Sequence, residues 1–170
     1  MNNATILAAI APGASMEDTV AGIKTYKFGD STGALKGVEG TVRDSLGDAN
    51  ARKSVAAALT ALLASDATRD AKIFACRQLA LCGGAENVPA LASMLTSADS
   101  SDMARIALER ISGGEADAAL IDALEKADEK SKIGIVNSLG ARKAASAVPA
   151  IGKLLGAGDP LLADAAAASL

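Results

Sequence analysis

Histidine and tryptophan are both absent from this 170-residue chain. Without histidine there is no Ser–His or Cys–His nucleophile pair, and the commonest protein metal ligand is missing. Most hydrolase mechanisms go with it. The remaining aromatics are two Phe and one Tyr, too few for the stacking platforms that hold single-stranded nucleic acid. Seventeen basic side chains stand against 20 acidic ones, a formal charge of −3, where a nucleic-acid binder would show a basic excess. No nucleic-acid partner is expected from this balance, although it leaves room for a local basic patch. The only cysteines are Cys76 and Cys82. Six residues apart on one predicted helix, they lie about 9 Å apart along its axis and on different faces, which does not suit a disulfide. Without further thiolate or imidazole ligands they make no structural zinc site. They read as two buried free thiols, which fits a reducing compartment.

Long apolar runs are also missing. The stretch from Ala4 to Ala14 is broken by Pro12 and Gly13, so no membrane insertion is expected. Met1-Asn2-Asn3 lacks the basic n-region of a secretory signal. A cytoplasmic location is favoured, and a periplasmic one stays open if a leader precedes this sequence. Cys82-Gly83-Gly84 matches no phosphate-binding loop. Glu115, Asp117, Asp122, Glu125, Asp128 and Glu129 crowd one stretch, where a solvated helix face is preferred over a general-acid pair or a calcium site. The expectation is therefore no catalytic residue, no metal site and no cofactor.

What the chain does have is a repeat. Leu79 to Leu91, Leu108 to Leu120 and Leu139 to Ile151 superimpose without a gap, and the leading leucines Leu79, Leu108, Leu139 and Leu170 are spaced by 29, 31 and 31 residues. A unit of that length is one helical hairpin, too small to bury its own apolar face, so hairpins must stack. Asp117, aligned with Val88 and Val148, fits the pattern worst. First helices are expected over Ala51 to Ala64, Glu86 to Leu95, Ala116 to Lys126 and Ala147 to Leu155. Second helices are expected over Thr68 to Leu81, Ser101 to Ile111, Glu129 to Leu139 and Pro160 to Leu170. Pro89 and Pro149 suit a first turn, Ser101 and Asp159 suit N-caps, and Gly83, Gly113 and Gly140 suit helix ends that need a left-handed residue.

Before residue 50 the helical period persists in altered wording. Leu35, Val38, Val42 and Leu46 predict a helix over Asp30 to Leu46, with Met16 to Tyr26 as its antiparallel partner, started by Ser15. Gly37 and Gly40 cost on the order of 1 kcal/mol each relative to alanine. This helix should be the least stable, or be crossed closely by the Asn3 to Ile10 segment.

Leu139-Gly140 through Ala147-Val148-Pro149-Ala150-Ile151, continuing to Asp159-Pro160 and the alanine-rich Ala165 to Leu170, resembles the bacterial HEAT-repeat family, in particular the short class labelled PBS-lyase HEAT-like. Leu79 to Leu95 repeats the same wording around Val88-Pro89-Ala90-Leu91. The segments Thr68 to Lys72, Cys76 to Leu79 and Ser101 to Arg105 resemble HEAT stretches of large bacterial proteins. The resemblance covers residues 51–170, in units of roughly 51–83, 84–113, 114–140 and 141–170, with 1–50 as divergent capping helices of one continuous domain. It implies an all-α, right-handed α-solenoid of about five stacked antiparallel hairpins. The function it implies is a non-catalytic protein-interaction or scaffolding module, probing a partner protein or peptide, in a piece of a larger protein. An accessory domain of a multidomain enzyme is the alternative. Family members that attach bilins share only the generic repeat with this chain, and those that excise alkylated bases use a basic, aromatic-bearing face that it lacks. Because Leu170 is the leading leucine of another unit, either continuation or self-association through the C-terminal repeat is expected.

In this family's fold the second helices line the concave surface. Lys72 and Lys132 share the position seven before the leading leucine, Arg77 and Asn137 share the position two before it, and Arg105 lies three before Leu108. Together with Arg69 and Gln78 these form a candidate ladder for an acidic partner. Ordinary helix solubility and inter-repeat hydrogen bonding is the other reading of the same residues.

Overall fold

The computed structural model describes residues 15–156 and 158–170. Among them are ten α-helices and no strand: α1 Met16–Ala21, α2 Gly33–Ser45, α3 Ala49–Ala64, α4 Arg69–Cys82, α5 Val88–Ala92, α6 Ser101–Leu108, α7 Gly114–Leu124, α8 Glu129–Ala141, α9 Val148–Gly152 and α10 Pro160–Ala168. The protein is all-α. The chain divides into two compact units, Met1–Cys82 and Gly83–Leu170.

Alanine-rich sequence favours helix throughout, and the ends are set by local polar chemistry. Ser15 and Asp18 form a capping box at α1. Asp48 accepts from the N–H groups of Asn50 and Ala51 at α3, and Asp128 accepts from Ser131 N–H at 2.7 Å at α8. Asp159 caps α10, with Pro160 in its first turn. At Asp128 the Ser131 N–H lowers the carboxyl pKa, because the bond favours the charged form.

In the Met1–Cys82 unit, α1 packs on α2 and α3, α2 on α3 and α4, and α3 on α4. The core is built from Val20, Ile23, Val38, Val42, Val55, Leu59 and Leu79. In the Gly83–Leu170 unit, α5 packs on α6 and α7, α6 on α8, α7 on α8, and α8 on α10. Leu91, Leu108, Ile111, Leu120, Ile135, Leu139 and Ile151 are buried there, each such side chain contributing roughly 1.5–3 kcal/mol of transfer free energy. Contacts run mostly between sequential helices and their next neighbours.

Several boundaries differ from the expected ones for visible reasons. The first helices near residues 90 and 150 are interrupted: 3₁₀ turns Ala85–Asn87 and Ala145–Ala147 precede α5 and α9, and a third, Lys153–Gly156, follows α9. Ser101 is not the cap of α6. Ser100 holds that place, its hydroxyl donating to Met94 O instead of capping the helix, and Ser101 is the buried first residue. Gly140 does not end a helix. It lies inside α8, where a Cβ would come within 2.8 Å of Ser169 Cβ, so the missing side chain lets α10 approach. The left-handed residue after α8 is Lys143, with φ 54°. Its N–H bonds to Gly140 O and the Ala144 N–H to Leu139 O, which is a Schellman motif with lysine where glycine is cheapest. Gly113 does have a positive φ, 107°, but it opens α7. The expected crossing of α2 by Asn3 to Ile10 lies outside the described residues.

Candidate functional site

The second helices carry the candidate ladder, and each unit treats its share differently. In the Met1–Cys82 unit, α4 buries Ala71, Phe74, Ala75, Cys76, Gln78, Leu79 and Cys82. Arg69, Ile73 and Arg77, spaced by four, therefore fall on its outward side, and Arg69 and Arg77 are exposed. Neither arginine makes an ion pair or side-chain hydrogen bond among the described residues. Lys72 is half-buried. Asp66 has its pKa lowered first by the hydrogen bond from Lys24, with which it forms an ion pair, and last by the charge of Lys72.

The start of α4 is also tied to the loop after α1. Thr68 donates its N–H to Lys24 O and its hydroxyl to Tyr26 O, and the Phe28 N–H donates to Asp70 Oδ2 at 2.9 Å. Asp30 N–H closes the turn onto Lys27 O, and Gly29 supplies the positive φ of 99° that the turn requires. The Phe28 side chain stands almost fully in solvent on this pinned turn.

In the Gly83–Leu170 unit, Arg105 of α6 is occupied by the fold. Its Nη1 donates to Gly134 O at 3.0 Å and Ser138 Oγ at 3.2 Å, and its Nη2 to Asp102 Oδ1 at 2.5 Å. Ser138 Oγ in turn donates to Glu109 Oε1 at 2.6 Å. The Arg105 side chain is only 18% exposed. A Cβ at Gly134 would lie 2.5 Å from the Arg105 Cζ, so the glycine makes room for the guanidinium. Arg105 thus joins α6 to α8. Lys132 is half-buried and Asn137 exposed on α8, matching the burial of Lys72 and Arg77 at the same repeat positions.

The chain has no match in the comparisons: no protein-family model, no curated protein and no solved structure is similar to it.

The most heavily bonded side chain of the unit is one that the repeat pattern did not single out. Arg142, at the end of α8, donates to Asp117 Oδ1, Leu108 O, Ile111 O at 2.6 Å and Gly113 O at 3.0 Å, with Glu109 O at 3.3 Å. Its side chain is 8% exposed. The guanidinium fork satisfies the carbonyls left unpaired where α6 ends and neutralises Asp117. A signal for it is present in the sequence. Asp117 stands where Val88 and Val148 stand, and Arg142 stands where Cys82 and Ile111 stand, so two exceptions of opposite charge answer each other.

Chemically reactive groups are held apart or buried. Cys76 and Cys82 are buried, and burial pushes their thiols up to about 12 and about 11. Both are therefore neutral near pH 7 and poor nucleophiles. Among the described residues no three Cys, Asp or Glu side chains gather where a metal ion would sit, and no helix is long and apolar enough to cross a membrane. Open concavities among the described residues include one of about 200 Å³ between α1 and α3, one of about 470 Å³ between α5 and α7, and one of about 410 Å³ beside the ends of α8 and α10.

Proposed function

We propose that this chain is a non-catalytic binding module, a right-handed solenoid of HEAT-like hairpins whose second helices receive an acidic peptide or the acidic face of a partner protein. Support for the stacking comes from the buried leading leucines Leu79, Leu108 and Leu139, and from the packing of alternate helices within each unit. The observation that carries the binding reading is the outward face of α4. Arg69 and Arg77 are exposed there and lack any acidic partner among the described residues, whereas Arg105 is held by the fold itself. Exposed, unpaired arginines eight residues apart on one helix face are available to carboxylates at little desolvation cost.

The test uses a fluorescein-labelled oligoglutamate peptide and the whole chain, followed by anisotropy at low salt. Binding should weaken by about tenfold or more in the Arg69→Glu/Arg77→Glu double variant, and again as salt screens the charges. The helical circular dichroism should not change. A peptide that fails to bind at low salt, or that binds the double variant equally well, refutes the reading. Arg105 is unsuitable for reversal, because losing its bonds to α8 would disturb the fold.

A further inference from the structure

The outward face of α4 carries more than its two arginines. At about 100° per residue, Arg69, Asp70, Ile73, Arg77 and Leu81 fall within about 120° of one side of the helix. Ile73 is half-buried, and Leu81 is 61% exposed at the C-terminal end. Asp70 and Leu81 are eleven positions apart. That is close to three full turns, so they share one edge of the face, about 16 Å apart along the axis. The Asp70 carboxylate accepts the Phe28 N–H, which brings Phe28, 92% exposed, to the other end of the same edge.

Phe28 and Leu81 are the two most exposed large apolar side chains among the described residues of the Met1–Cys82 unit. A single exposed leucine is ordinary on a protein surface, but here two large apolar groups bracket two unpaired arginines on one helix. Phe28 is also held in place before anything binds. Its turn is closed by the Lys27 N–H on Asp30 Oδ2 at 2.8 Å, and Thr68 ties the chain on its N-terminal side to the start of α4. A group fixed in advance loses little conformational freedom when it is covered. The one carboxylate on this arc, Asp70, is occupied by the Phe28 N–H, and Lys27 beside it is exposed. The free charge of the face is therefore positive.

We infer, on the reading that an acidic partner binds α4, that the occupant is an amphipathic acidic helix. Its apolar side chains, recurring every three or four positions, meet Phe28, Ile73 and Leu81, and glutamates alongside them meet Arg69 and Arg77. The spacing argues for a helix. A helix laid along α4 has the same rise, so its own residues eleven apart face one way about 16 Å apart. An extended peptide covers that span in about five residues, and its alternating side chains put the first and sixth on opposite sides. An aromatic anchor beside arginines is also the composition of interface hot spots.

Three fluorescein-labelled peptides and anisotropy with the whole chain at low salt test this. One is a 15-residue helix former with leucines on one face and glutamates beside them, the second is its scramble with no apolar face, and the third is oligoglutamate. The amphipathic peptide should bind about tenfold or more tightly than its scramble, and its helical circular dichroism should rise on binding. Phe28→Ser/Leu81→Ser should bring those two peptides within about twofold of each other and leave oligoglutamate binding unchanged. Both side chains are exposed and the bonds of the Phe28 turn are made by its backbone, so the urea midpoint should not move. Arg69→Glu/Arg77→Glu should weaken all three peptides. If oligoglutamate binds but the amphipathic peptide gains nothing over its scramble, or keeps its advantage in the Phe28→Ser/Leu81→Ser variant, the amphipathic helix is refuted and the acidic partner stands. If none of the three binds, both readings fall.

Discussion

Removing the Arg142 guanidinium should be among the most damaging single changes in the Gly83–Leu170 unit. The side chain joins Asp117 to the carbonyls of Leu108, Ile111 and Gly113 in a nearly water-free position. Each hydrogen bond to a charged group contributes about 1.5–3 kcal/mol, but bonds sharing one guanidinium do not add, so a simple sum overshoots. Deleting one partner of a buried pair costs about 3–5 kcal/mol. Because the Asp117 side chain remains 20% exposed and regains some water, the low end applies. Arg142→Ala should therefore cost about 3 kcal/mol, a large share of the ~5–15 kcal/mol that holds a domain together. Arg142→Lys keeps the charge but not the fork, and should recover less than half of that loss. Asp117→Val, which installs the residue of the sister repeats, should cost about 1–3 kcal/mol. The two sites should couple by more than about 1 kcal/mol in a double-mutant cycle. Urea denaturation followed by circular dichroism measures all of these. If Arg142→Ala cost no more than the exposed Arg77→Ala, the guanidinium would not be holding the end of α6, and the argument would fail.

Lys143→Gly should stabilise the chain by about 1 kcal/mol, since the residue after α8 is left-handed and lysine is strained there; an unchanged or lower urea midpoint would contradict the Schellman assignment. Gly134→Ala should cost about 1–3 kcal/mol by forcing the Arg105 guanidinium off α8, and a neutral result would mean that Arg105 does not bridge α6 and α8. Cys76 and Cys82 should react with a thiol reagent at pH 8 far more slowly in the native chain than in urea, because burial keeps them protonated. Burial raises the two thiols from 9.0 to about 12 and about 11, so above pH 9 the unfolded chain releases protons that the native chain retains. Stability should fall as pH climbs from 9 toward those values, and more steeply than in a Cys76→Ala/Cys82→Ala variant; equal slopes would count against the buried thiols as the cause.

The helices were legible because apolar spacing and caps are local. Ser15, Asp159 and the run Leu35–Val38–Val42 each fix an element through neighbours within one or two turns. Helix ends beside a packing partner were less legible. Gly140 reads as a stop signal from sequence, yet it serves the approach of Ser169 almost 30 residues away, and the strained turn falls to Lys143 instead. The candidate ladder shows the same divide. Lys72 and Lys132 share one repeat position and one degree of burial, and so do Arg77 and Asn137. Repeat position alone does not reveal that Arg105 is taken up by Gly134 and Ser138, because that depends on how closely α6 and α8 approach. Asp117 and Arg142 were visible only as departures from the repeat, and their pairing needed the three-dimensional arrangement.

The Asp117–Arg142 pair bears on how a chain of near-copies finds its own order. Hairpins that share leucine spacing can stack on the wrong neighbour during folding, a characteristic failure of repeat proteins. A mis-stacked arrangement would still bury the leucines, but Arg142 would no longer meet the carbonyls of Leu108 and Ile111 in the preceding hairpin, and the guanidinium would keep Asp117 of its own hairpin while its outer N–H groups were sealed in without those acceptors. The loss of those charge-assisted bonds, about 1.5–3 kcal/mol for each, turns interchangeable hairpins into addressed ones. The α7–α8 hairpin accepts one predecessor, the hairpin ending in α6, and the correct sequence of stacking is written into the chain by a single arginine.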